Sequence, residues 1–163
     1  AEEQRKAAAR HIEAQTFSVD LPEYWDGRVT AKVNGDSIGL YSTAYPDKYI
    51  GSLTGYDHEV WGGGDIGGGC VKDINLGGGR YVEIWITRWP YDAAVSHLSK
   101  FSSSSTGCSD DAARETLDLQ SLGAVSFDTI ISEMKTANAP ESKTLFKADD
   151  IFAGALAPTV KPL

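Results

Sequence analysis

Long apolar runs are missing from this 163-residue chain. A helical membrane span needs about 20 consecutive apolar residues, so no transmembrane segment is expected. Basic residues are also in short supply, with 15 Lys and Arg against 23 Asp and Glu and a net charge of −8. Sequence-independent nucleic-acid binding depends on cations that displace counterions from phosphates, and anionic membranes attract polybasic segments. Neither kind of partner suits this balance. Histidine occurs three times, as His11, His58 and His97, without an H-x-x-x-H or H-E-x-x-H pairing. A metal site would need ligands gathered from distant parts of the chain, and no metal or cofactor is expected. No G-x-S-x-G elbow accompanies the many serines, so no catalytic nucleophile stands out.

Cysteine is limited to Cys70 and Cys108. A bridge between them would close a loop of about 38 residues and contribute roughly 4 kcal/mol in the chain-entropy treatment. It would also imply an oxidising compartment. The polar setting of Cys108, in "SSSSTGCSDD", favours the bridge over two thiols in a cytosolic protein. The charged, helix-prone opening carries no apolar signal core, and it starts on Ala1 rather than Met. We read this as a mature or truncated chain from which an export segment or tether has been removed.

Glycine, by contrast, is plentiful. Three triplets punctuate "EVWGGGDIGGGCVKDINLGGGRYVEIW", and Gly62, Gly64 and Gly67 spell G-x-G-x-x-G. That spacing cradles a dinucleotide only when a helix follows it. Here "CVKDINL" follows, which has strand character, so the triplets read as turns between strands or as a binding loop. Asp57-His58-Glu59, with nearby Asp65, forms a compact polar group. A solvated loop accounts for it, and a hydrolase-type site at Asp57, His58, Glu59 and Asp65 is the alternative. Asp110-Asp111 and Asp149-Asp150 are expected at helix starts, where negative charge favours the macrodipole.

The periodicities predict a helix over 1–15, a mainly β region over 16–89 and a mainly α region over 90–163, all within one domain. Phe17, Val19 and Leu21 alternate with polar residues until Pro22. Asn34-Gly35-Asp36 separates two strand-like runs, as in a hairpin. Further strands are expected at 49–56 and at "CVKDINL", with "RYVEIWITRW" completing a second hairpin. In that last segment Val82, Ile84 and Ile86 share one face. Tyr81, Glu83, Trp85, Thr87 and Trp89 share the other, which marks a central strand covered on both sides. Phe127, Ile130, Ile131 and Met134 line one face of a later helix, and "KADDIFAGALAP" predicts a short helix before Pro158. The order helix, strands, helices is that of an α+β fold, a twisted and mainly antiparallel β-sheet flanked by helices.

The segments "FSVDLPEYWDGRVTAKVNGDSIGLYS", "YVEIWITRW" and "KADDIFAGALAPTVKPL" resemble bacterial exported or lipid-anchored proteins of uncharacterised function that have a PsbP-like α/β/α sandwich. The resemblance spans residues 16–90 and the C-terminal helix, and it rests chiefly on Phe17 and on Leu21-Pro22 with Trp25. It implies helices around a twisted antiparallel sheet and an envelope or extracellular address. It brings no catalytic residues, and the glycine triplets lie outside its pattern. The expected function is therefore a non-catalytic binding or interaction domain, with a structural subunit of an envelope assembly as a further alternative. Its ligand-binding surface is expected around Trp61, Asp65, Tyr81, Glu83, Trp85 and Trp89. A peptide or protein, a glycan or a small apolar ligand would suit such an aromatic groove.

Overall fold

The computed structural model describes residues 1–60, 69–98 and 109–163. The fold is α+β, with five helices and two antiparallel sheets among the described residues. Helix α1 (Glu2–Arg10) ends earlier than its composition suggests, because His11–Glu13 leaves the helix and forms strand β1. Residues His11 and Ile12 pair with Asp20 and Val19 of β2 (Phe17–Asp20), and the strand pairing supersedes the helical propensity there. Strand β8 (Lys161–Pro162) completes this small sheet, in the order β1-β2-β8. Phe17 and Val19 are fully buried, as their alternation requires.

The larger sheet contains β3 (Val29–Asn34), β4 (Ser37–Ser42), β5 (Tyr49–Tyr56), β6 (Cys70–Gly77) and β7 (Arg80–Ile86), in the order β3-β4-β5-β7-β6. The hairpin forms where expected, but Asn34 stays in the strand and pairs with Ser37, so the two turn residues are Gly35 and Asp36, with the positive φ (+62°) at Gly35. Gly78 and Gly79 turn the second hairpin with φ of +63° and +77°. Two successive positive φ angles are what a type I′ turn requires, and glycine supplies them without steric cost. Strand β7 lies between β5 and β6 but stops at Ile86, three residues short of Trp89.

Helices α2 (Trp89–Val95), α3 (Asp110–Gln120), α4 (Phe127–Ala137) and α5 (Lys143–Leu156) follow. Ser109 caps α3 by accepting a hydrogen bond from the Ala112 amide at 3.1 Å. Asp110 and Asp111 occupy the first turn of α3, where expected. Asp149 and Asp150 do not begin a helix, because α5 starts at Lys143 behind a Ser142 cap that accepts from the Leu145 amide. Asp149 instead makes a two-pronged ion pair with Arg88, at 2.7 and 2.9 Å.

Two apolar cores result. Ala94, Leu117, Phe127, Ile130, Met134 and Leu145 pack the helices together. Ile38, Leu40, Leu53, Val82, Ile84 and Ile86 face Phe152, Leu156, Leu119, Trp25, Phe17 and Val19 in the other. Helices α3 and α5 contribute to both, with Leu117 and Leu145 in one core and Leu119 and Phe152 in the other. Gly51 makes the second core possible, since a Cβ there would collide with the Phe152 ring and the Trp85 carbonyl. Gln120 fixes the helix layer to the sheet by donating to the carbonyls of Ile50 (2.9 Å) and Thr87 (3.3 Å).

Gly51→Ala should destabilise the protein by about 1–3 kcal/mol, the usual cost of overpacking, as measured by urea denaturation. His11 gives a pH-dependent contact. Its ring nitrogens lie 2.8 Å from Asp20 and 3.1 Å from Glu13, and these carboxylates raise its pKa above the ordinary 6.5. A raised histidine pKa gives stabilisation that is complete below the unfolded-state pKa and is lost as pH rises through the folded-state value. NMR titration should find His11 titrating above 6.5, with Asp20→Asn returning it toward that value.

Candidate functional site

Each strand of the large sheet turns alternate residues away from the core, and the registers align them into rows. One row runs Lys32, Gly39, Ser52, Trp85, Cys70 across all five strands. The next runs Asn34, Ser37, Thr54, Glu83, Asp73. Tyr56, Tyr81 and Asn75 form a third on one side, while Thr30, Tyr41 and Tyr49 align on the other. Strands lie about 4.8 Å apart, so a five-strand row spans roughly 19 Å. None of these positions carries an aliphatic side chain. The apolar surface of the face is supplied by Tyr41, Tyr49, Tyr56, Tyr81 and Trp85, all of them half-buried or exposed.

The β3–β4 end of the face forms a cavity of about 430 Å³, lined by Lys32, Asn34, Ser37, Gly39, Tyr41, Tyr49 and Ser52. Lys32 Nζ lies 4.3 Å from the centre of the Tyr41 ring, a cation–π distance. The Tyr41 and Tyr49 rings are 6.2 Å apart. Ser37 and Thr54 share a hydroxyl–hydroxyl hydrogen bond of 2.9 Å.

The β7–β6 end is drier. Glu83 is only 8% exposed, and it accepts a hydrogen bond from the Cys70 thiol. Burial first, and then the nearby Glu83 charge, push the Cys70 pKa up to about 12. The same two causes, burial foremost, raise the Tyr56 phenol above its ordinary value. Cys70 is thus held as a neutral thiol at physiological pH.

Of the expected binding residues, the structure brings Tyr81, Glu83 and Trp85 together on this face. Trp89 does not join them, because β7 has ended and Trp89 begins α2. Its indole N–H donates to the Tyr49 carbonyl at 3.1 Å, and Lys48 Nζ lies 5.6 Å above its ring. Trp61, Asp65 and the glycines Gly62, Gly64 and Gly67 fall outside the described residues, as does Cys108, the expected partner of Cys70. Among the described residues Cys70 forms no disulfide. Sequence reasoning missed Lys32, Tyr41, Tyr49 and Asp73 as neighbours of this set. The Asn34-Gly35 hairpin held the available signal, since it aligns Lys32 with Gly39.

The polar triplet Asp57-His58-Glu59 is exposed in the loop after β5. His58 Nδ1 reaches its sequence neighbour Asp57 at 2.8 Å, with both side chains more than two-thirds in solvent. His97 meets Asp110 at 2.9 Å, just beyond α2, also at an open position. The His58 ring stands edge-on to the Tyr56 ring at 5.8 Å, at the border of the aromatic face, whereas His97 stacks edge-on against Phe127 in the helical layer.

In reduced, native protein near pH 8, Cys70 should react with iodoacetamide at least about tenfold more slowly than an ordinary thiol of pKa ~8.5. Glu83→Gln should increase that rate, as read by peptide mass spectrometry. Comparison with family models, with curated proteins and with solved structures finds no match for this chain, so the functional reading rests on the geometry of the sheet face.

Proposed function

We propose that this protein is a saccharide-binding domain that takes its ligand across the open face of the five-stranded sheet. It binds rather than catalyses, and the resemblance to exported proteins supports an address in the envelope or outside the cell. The observation that carries the reading is the composition of the register rows. Five aromatic rings stand among hydroxyls, amides, a lysine and carboxylates, without an aliphatic side chain between them.

A sugar ring has an apolar C–H face and a rim of hydroxyls. Tyrosine and tryptophan offer a matching apolar body with a polar tip. Ser37, Ser52, Thr54 and Asn34 supply short donors and acceptors that the strand backbone holds in place. A small apolar ligand would call for an enclosed, mostly apolar pocket, whereas this face is open and polar between its rings. An extended peptide would be expected to pair along a sheet edge, which leaves the rings of this face unexplained. A span of roughly 19 Å, from the strand spacing, suits a ligand of several sugar units.

Tetrasaccharides of glucose, N-acetylglucosamine and glucosamine, titrated into the protein, should give saturable changes in the Trp85 and Tyr41 NMR signals for at least one of them. Tyr41→Ala and Trp85→Ala should each weaken that binding by about tenfold, corresponding to ~1.4 kcal/mol. Absence of binding by all three sugars, or affinities unchanged in both variants, would overturn the proposal.

A further inference from the structure

We infer that the Lys32 ammonium receives a carboxylate of the ligand, so that the β3–β4 end of the face selects an acidic saccharide, one containing uronic acid units. This rests on the saccharide reading above and names the class of sugar.

The cavity at this end holds about 430 Å³, and among the described residues that line it Lys32 alone carries a charge. No carboxylate lies among them, in a chain with 23 Asp and Glu against 15 Lys and Arg. Among the described residues the Lys32 ammonium makes no salt bridge, and its partner is the Tyr41 ring at 4.3 Å. An aromatic face attracts the charge but supplies no carboxylate oxygen to the three N–H donors. Those donors remain for a ligand, and a carboxylate accepts from them about twice as strongly as a neutral hydroxyl does.

The ammonium is also held in place. Lys32 is the register partner of Gly39 on β4. The Tyr41 ring folds back over that glycine, where a Cβ would lie 2.9 Å from it. The absent side chain thus lets the ring lie along its own strand, and the ring seats the lysine. Fixing a lysine side chain costs up to about 2 kcal/mol of rotamer entropy. The ring contact removes part of that freedom before a ligand arrives, which favours binding.

Neutral donors surround this single cation. Ser52 stands in the Lys32 row, and Asn34 and Ser37 stand in the next. The Tyr41 and Tyr49 rings, 6.2 Å apart, offer apolar surface to the C–H face of the same sugar unit. One ammonium among neutral donors balances a monoanion. A phosphate group is better matched by the bidentate fork of arginine, and no arginine is among the described residues lining the cavity.

The test compares tetramers of glucose and of glucuronic acid, joined by the same linkage, by calorimetry at neutral pH. Salt at about 0.15 M screens the repulsion between the chain's net negative charge and an anionic ligand. Cyclohexanecarboxylate serves as an anionic ring without hydroxyls. The glucuronic acid tetramer should bind about five- to tenfold more tightly than the glucose tetramer, between an exposed ion pair and a hydrogen bond to a charged group. Lys32→Met, which keeps the length of the side chain and removes its charge, should reduce that preference to under about threefold. Lys135→Met removes the same charge from α4, in the helix layer, and should leave the preference at about threefold or more. Lys32 is exposed, and thermal unfolding of each variant shows that the fold is intact.

A preference below about threefold in the native protein, one that survives Lys32→Met, or one that Lys135→Met also removes overturns the inference while saccharide binding stands. Cyclohexanecarboxylate binding that Lys32→Met abolishes, with neither tetramer bound, keeps the anion subsite and overturns the saccharide reading. Neither tetramer bound, with cyclohexanecarboxylate unbound or held equally by Lys32→Met, overturns both.

Discussion

The seating of the Phe152 ring on Gly51 is the contact on which the arrangement depends. A sheet and a helix approach closely only where one of them gives up side-chain volume, and here the sheet does so at β5. Phe152 is fully buried and lies 5.8 Å from the Trp25 ring, which itself donates to the Leu119 carbonyl at 2.7 Å. Those contacts join α5, α3 and the segment after β2 into one layer over one face of the sheet. Dense interiors tolerate little displacement, so a helix layer held at that distance fixes which face is core. The other face then carries the alternate residues of each strand.

Polar ties confirm the same placement from the rim of the layer. Gln120 donates to the Thr87 carbonyl and adds a second donor to the Ile50 carbonyl, which also accepts from the Thr87 amide at 3.2 Å; buried carbonyls are seldom left without donors. Arg88 and Asp149 join the end of β7 to α5, and burial still raises the Asp149 pKa while Arg88 opposes the shift. Asp36 links the two sheets, accepting from the Thr16 amide at 2.8 Å and its hydroxyl at 2.6 Å. The Asp36 backbone carbonyl also accepts from the Gly55 amide at 2.8 Å. These groups are few and directional, and they set the registers that the apolar core alone would leave free to slip.

The functional reading follows from that division of faces. Strand periodicity sends every second residue to the open side, and the registers turn separate residues into rows. Rings and hydroxyls in such rows form a platform whose spacing is that of the strands themselves. The platform is electrically graded, with Lys32 near one edge and Glu83 opposite Asp73 near the other. Its drier end keeps Cys70 as a thiol, because burial and the Glu83 charge both disfavour the thiolate. One buried carboxylate therefore shapes the chemistry of its neighbours as well as the electrostatics of the face.

Local signals in the sequence determined much of the fold. The alternation at Phe17 and Val19, the hairpin turning at Gly35, the positive-φ glycines before Arg80 and the buried stripe from Phe127 to Met134 each depend on near neighbours, so they were legible in advance. The same alternation identified Tyr81, Glu83 and Trp85 as sharing one face of a strand. Local pattern misled where tertiary contacts competed with it: His11 left its helix to pair with Asp20, Trp89 passed from strand to helix, and Asp149 became an ion-pair partner in mid-helix. Only the tertiary structure decided which strands adjoin. Register is a long-range property, fixed by packing and hydrogen bonds between residues far apart in the chain. That is why Lys32, Tyr41 and Asp73 joined the site only once the sheet order β3-β4-β5-β7-β6 placed them in line with it.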